Sequence, residues 1–125
     1  MAVCGMPEKD DNHALNLARA AKEICHYLET RAQTHDIKWK VRIGIHSGKV
    51  TGGIVGVRKY LYDLFGDAVN IASRMESNSE PMRSNCSEAT FNLLNNQFKF
   101  TTREPLEVKG KGKMNMYFME EELSI

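Results

Sequence analysis

An apolar stripe near the N-terminus sets the first constraint on the fold. Ala14, Leu17, Ala21, Ile24 and Leu28 recur at i, i+3, i+7, i+10 and i+14, widened by Ala18 and Cys25. Arg19, Lys22, Glu23 and Glu29 take the other side. This is the 3.6-residue period of a helix with one face against a core. Asp10, Asp11 and Asn12 supply capping side chains before it. The pattern predicts a helix over about residues 12–33. Such a stripe needs a layer to cover it, and the next segment offers one. Trp39, Val41, Ile43 and Ile45 alternate with Lys40, Arg42 and Gly44, the period of a strand with one face in the core.

The remaining segments continue the alternation of strand and helix. His46-Ser47-Gly48 bends the chain, and Gly48, Gly52, Gly53 and Gly56 punctuate a short strand and turn between Lys49 and Val57. Tyr60 to Phe65 reads as an aromatic-rich strand ended by Gly66. Asp67 then opens a helix carrying Ala68, Val69, Ile71, Ala72 and Met75. Ser84 to Cys86 is expected to be extended, and Ser87 to cap a short helix from Glu88 to Leu94. Phe98 to Thr101 and Asn115 to Met119 form an expected final strand pair around the loop Val108 to Lys113. Met1 to Gly5 reads as the tail of a strand, an indication that the chain belongs to something longer. With neither repeat nor linker visible, the expectation is one mixed α+β unit.

Charge and composition remove several classes of function. Seventeen Lys and Arg against sixteen Asp and Glu leave a net charge of +1, which argues against nucleic-acid binding by bulk charge. The 42% hydrophobic content suffices for a core, which excludes a disordered polyelectrolyte. No run of about 18 apolar residues exists, so no membrane contact is expected within the chain. Cys4, Cys25 and Cys86 are odd in number, far apart and without zinc-ligand spacing to any histidine, as expected for reduced thiols in a cytoplasmic setting.

The densest chemical constellation runs from Asp63 to Arg74. Asp63 lies in a strand just before a turn, while Asn70 and Arg74 are four apart on the following helix and share a face. A carboxamide and a guanidinium beside a helix N-terminus suit a phosphate ester: the amide orients a ribose oxygen and the guanidinium forks onto a phosphoryl group. The competing account is an Arg paired with an acid on a solvated helix. Lys109-Gly110-Lys111-Gly112-Lys113 is a second anion-binding candidate, because alternating glycines admit close approach and the lysines bring charge. A plain hairpin tip with solvated lysines explains the same residues. Gly53 to Lys59 lacks the spacing of a Walker loop. His46 beside Ser47 has neither a nucleophile elbow nor a placed acid, which argues against a hydrolase.

Together these stretches resemble the catalytic domain of class III nucleotidyl cyclases. The likeness is carried by Val41-Arg42-Ile43-Gly44-Ile45-His46-Ser47-Gly48 and Gly52-Gly53-Ile54-Val55-Gly56. It continues through Tyr62 to Glu76, then Ser87-Glu88-Ala89-Thr90 and Val108-Lys109-Gly110-Lys111-Gly112, all in the expected order. The run from Leu64 to Glu76 is the most specific. The resemblance implies a ferredoxin-like α+β cyclase fold, with residues 1–125 forming roughly the C-terminal two-thirds of one domain and the N-terminal part missing. It also implies head-to-tail pairing, as a homodimer or a heterodimer with another cyclase domain, and an active site across the interface.

By the same resemblance, Asn70 orients the ribose and Arg74 stabilises the pentavalent α-phosphate. Lys109 binds the triphosphate, with Lys111 as the alternative. The implied reaction is attack of the ribose 3′-OH on the α-phosphate with release of pyrophosphate, assisted by two Mg2+ or Mn2+ ions. Asp63 occupies the purine-selecting position. A carboxylate there accepts from the adenine N6 amino group, whereas facing guanine O6 it opposes acceptor to acceptor at a cost of about 1–3 kcal/mol. The expected activity is therefore adenylyl cyclase on ATP, with guanylyl cyclase on GTP or an inactive dimerisation half-domain as the alternatives. The family's two metal aspartates precede the position matching Met1, so the 125-residue chain is expected to be inactive by itself. A parent protein would hold it in the cytoplasm or on the cytosolic side of a membrane.

Overall fold

The computed structural model describes residues 4, 11–48, 51–55, 61–65, 67–108 and 110–123, with 51–55 and 61–65 described through their backbone. Helix α1 (His13–Ala32) is followed by strand β1 (Ile43–Ile45), the hairpin β2 (Thr51–Val55) and β3 (Leu61–Phe65), and helix α2 (Asp67–Ser77). Then come β4 (Ser84–Ser87), α3 (Glu88–Leu94), β5 (Phe98–Thr102), a small hairpin β6 (Leu106–Val108) and β7 (Gly112–Met114), and β8 (Met116–Glu122). The main sheet has the order β1-β4-β8-β5, with β1 and β4 parallel and the other neighbours antiparallel.

Helices cover both faces of that sheet. On one side α1 and α3 bury Ala14, Ala18, Ala21 and Leu94 against Ile45, Cys86, Phe98 and Met119. Phe91 of α3 stacks on Tyr117 with ring centroids 3.9 Å apart. On the other side α2 buries Met75 with Met116 and with Val108 of the β6–β7 hairpin. The period-2 alternation of strands produces this division: Tyr117 and Met119 face α1 and α3, while Met116 faces α2. Burial pushes the Cys86 thiol up to about 12, as suits a small apolar side chain in a core.

Several expectations need correction. The strand expected from Trp39 begins at Ile43, because its partner β4 begins opposite that residue at Ser84. Trp39 is 61% exposed, and the Arg31 guanidinium lies 5.4 Å from its ring. The buried face of α1 is its alanine row, whereas Ile24 is 49% exposed, because small side chains let the helix axis approach the sheet. In place of the loop expected from Val108 to Lys113, Val108 pairs with Gly112 and Glu107 with Lys113 as a hairpin, the other reading that the sequence allows. Gly110 and Gly112 both take positive φ there, which glycine adopts without steric cost. Of the expected strand tail Met1 to Gly5, all but Cys4 lies outside the described residues. The Ser87 cap is as expected, its hydroxyl accepting from the Thr90 amide.

Candidate functional site

Helix α2 is the element that positions the candidate residues. Ala68, Ile71 and Met75 face the sheet side. Asp67, Asn70 and Arg74, at i, i+3 and i+7, form a stripe on the flank of the helix beside that face, and all three are exposed. Among the described residues no ion pair engages Arg74. Glu76, the nearest acid in sequence, turns to Arg42 at 3.8 Å instead. The competing account of Arg74, an arginine neutralised on its own helix, therefore lacks its partner among the described residues.

The lysine-rich hairpin is tied to the N-terminal end of the same stripe. Lys111 donates to Asp67, the first residue of α2. Val108, just before the turn, is buried against Met75 and Met116. Hairpin and helix thus form one surface, with a cation at the start of α2 and another at Arg74. In this structure Lys111 is engaged with Asp67 in an exposed ion pair. Lys109 lies outside the described residues. Asp63 sits in β3 with its backbone opposite Gly53 of β2, and α2 follows two residues after that strand ends.

A histidine and serine cluster lies beneath this surface at the end of β1. His46 Nδ1 is 2.6 Å from Ser87 Oγ, the capping oxygen of α3. The Thr90 hydroxyl, from the first turn of α3, donates to the Ile45 carbonyl at 3.4 Å. Burial pushes the His46 imidazole below its ordinary 6.5, and the Asp67 carboxylate opposes part of that shift. The unfolded chain therefore takes up this proton at a higher pH than the folded one. Stability from His46 is complete above 6.5 and declines as pH falls from there toward the lowered folded value. Urea denaturation of His46→Gln is expected to show a shallower loss of stability than wild type as pH falls below 6.5. Parallel pH profiles for the two proteins would contradict this.

Two supporting residues carried no sequence signal. Asn85 is a polar residue in a strand buried along its whole length, and Arg103 is an isolated cation in the connection after β5. Only packing brings them to the end of α2. Among the described residues no three His, Cys, Asp or Glu side chains converge as a cation site. No helix among them is long and apolar enough to cross a membrane.

Comparison with known proteins matches this architecture. The family model for the adenylate and guanylate cyclase catalytic domain covers residues 1–121. Receptor-type guanylate cyclase gcy-28 of Caenorhabditis elegans is 40% identical over 124 residues, which are 95% of this chain and 10% of that protein. The chain thus spans about a tenth of that relative's length. The guanylate cyclase domain of RhGC from Catenaria anguillulae, solved with GTP, superposes with a TM-score of 0.88 at 33% identity, over 95% of this chain and 65% of that one. The catalytic core of a rhodopsin-guanylyl cyclase with converted specificity, solved with ATPαS, gives 0.83 at 35% identity, over 92% and 62%.

Proposed function

Since the chain belongs to the adenylate and guanylate cyclase catalytic domain family, we propose that it supplies the nucleotide-orienting half of a site converting a purine nucleoside triphosphate to a 3′,5′-cyclic nucleotide and pyrophosphate. The supporting observation is the exposed pair Asn70 and Arg74 on one face of α2, with no acid neutralising Arg74 among the described residues. In this reading Asn70 holds the ribose so that its 3′-oxygen faces the α-phosphate. Arg74 meets negative charge that grows as the phosphorus becomes five-coordinate, so its contribution falls mainly on the transition state. Lys109 binds the triphosphate, and the Asp67–Lys111 pair sets where the lysine hairpin stands relative to α2. A second cyclase domain, paired head to tail, completes the cleft. The divalent cations expected from the resemblance find no ligand set among the described residues, and in this reading their ligands come from elsewhere.

GTP is the substrate that similarity favours, because the relatives at 36–40% identity include four named as receptor-type guanylate cyclases. The adenylyl expectation receives no such support. A second reading, ATP, rests on one residue, Asp63, whose carboxylate matches the adenine amino group. Competition between GTP and ATP in the full-length protein with Mn2+ separates the two. GTP specificity predicts a kcat/KM ratio of about tenfold or more in favour of GTP. ATP specificity predicts the inverse ratio, and a shift back toward GTP in Asp63→Cys. Absence of both cyclic products would overturn the proposal.

A further inference from the structure

The last turn of α2 is held by a buried polar clamp. A helix end leaves its final carbonyls without intrahelical partners, and here the carbonyls of Arg74 and Met75, with that of Asn78 just past the helix, are taken up by named groups. Asn85, fully buried in β4, donates from Nδ2 to the Met75 carbonyl at 3.0 Å. Its Oδ1 accepts from Arg103 Nη1 at 3.1 Å. The same Nη1 donates to the Asn78 carbonyl at 2.8 Å. Asn78 in turn donates to the Arg74 carbonyl from both its backbone amide (3.1 Å) and its side chain (2.8 Å). Arg103 is steadied from behind by the Phe118 ring, 4.2 Å from its guanidinium carbon.

We propose that Asn85 and Arg103 are positioning residues for Arg74, fixing the height and rotation of its helical turn on the sheet. The inference rests on the cyclase role assigned to Arg74. An apolar residue at 85 would bury as well, but the carboxamide both gives a bond to the Met75 carbonyl and takes one from Arg103, which no apolar side chain can do. Met75 directly follows Arg74, so slack at its carbonyl is transmitted to the guanidinium at the end of a long side chain. Displacement of a charge-stabilising group by about 1 Å is enough to lower turnover on the order of 10²-fold.

The test is a double-mutant cycle in the full-length protein with Asn85→Leu and Arg74→Ala, read as kcat and KM for cyclic nucleotide formation. Circular dichroism selects a temperature at which each variant is fully folded. Asn85→Leu is expected to lower kcat by about ten- to hundredfold, with KM within about twofold. On the Arg74→Ala background it is expected to add less than about twofold. Arg103→Lys, which keeps the charge but loses the fork, enters the same cycle and provides the reading if Asn85→Leu does not fold. Reduced stability with unchanged kcat, or losses that multiply those of Arg74→Ala, would overturn the inference. An active Arg74→Ala protein would refute the role of Arg74 itself, and the clamp proposal with it.

Discussion

Arg74→Ala is expected to lower kcat for cyclic nucleotide formation by about 10²–10³-fold while leaving KM within a few-fold. Its guanidinium is exposed on α2, and among the described residues it is free of ion pairs. Among the described residues it therefore has no ion pair to break before meeting an anion. A group that interacts more strongly with the five-coordinate phosphorus than with the ground-state triphosphate acts on turnover rather than on binding. Arg74→Lys keeps a charge but loses the planar fork, and is expected to recover only a minor part of the rate. Steady-state kinetics of the full-length protein check both variants. A large rise in KM with kcat unchanged would place Arg74 in ground-state binding and remove it from the chemical step.

Gly44→Val is expected to be the most damaging single substitution for stability, at about 3 kcal/mol or more. A Cβ at residue 44 would lie 2.0 Å from the Glu76 nitrogen, 2.5 Å from the Met75 carbonyl carbon and 2.7 Å from the Glu76 Cα. All three are backbone atoms of α2, so no side-chain rotation relieves the overlap. Either α2 lifts from β1 or the strand moves away from it, and both open the layer containing Met75, Met116 and Val108. The same turn bears Arg74, so activity should fall along with stability. Urea denaturation of Gly44→Val and of the milder Gly44→Ala measures the effect. A change below about 0.5 kcal/mol for both would show that the contact is easily relaxed.

The alternation of helix and strand was legible because each segment has its own period. The stripe from Ala14 to Leu28 marked α1, and Ser87 before Glu88 marked the start of α3. Limits set by a partner were not legible. Alternation from Trp39 onward describes a segment able to form a strand, but the regular ladder starts at Ile43 opposite Ser84, with one isolated bond before it from the Met82 amide to the Val41 carbonyl. The choice between Ile24 and the alanine row as the buried face of α1 likewise depended on how closely the sheet could approach.

At the candidate site, Asn70 and Arg74 share a face by helical geometry alone, so their sequence spacing already placed them together. That Glu76 turns to Arg42, and that Lys111 is bound to Asp67, are outcomes of charges brought together across 34 and 44 residues of chain. Asn85 and Arg103 show the same division. In sequence they are an amide in a short polar strand and a lone cation, while in space they hold the turn beside Arg74. By itself the sequence determined the periods of the elements, the family likeness and the residue types offered for chemistry, since these depend on neighbours a few positions apart. The tertiary structure decided which charges stay free and what anchors them, because those depend on distances between segments that local spacing does not encode.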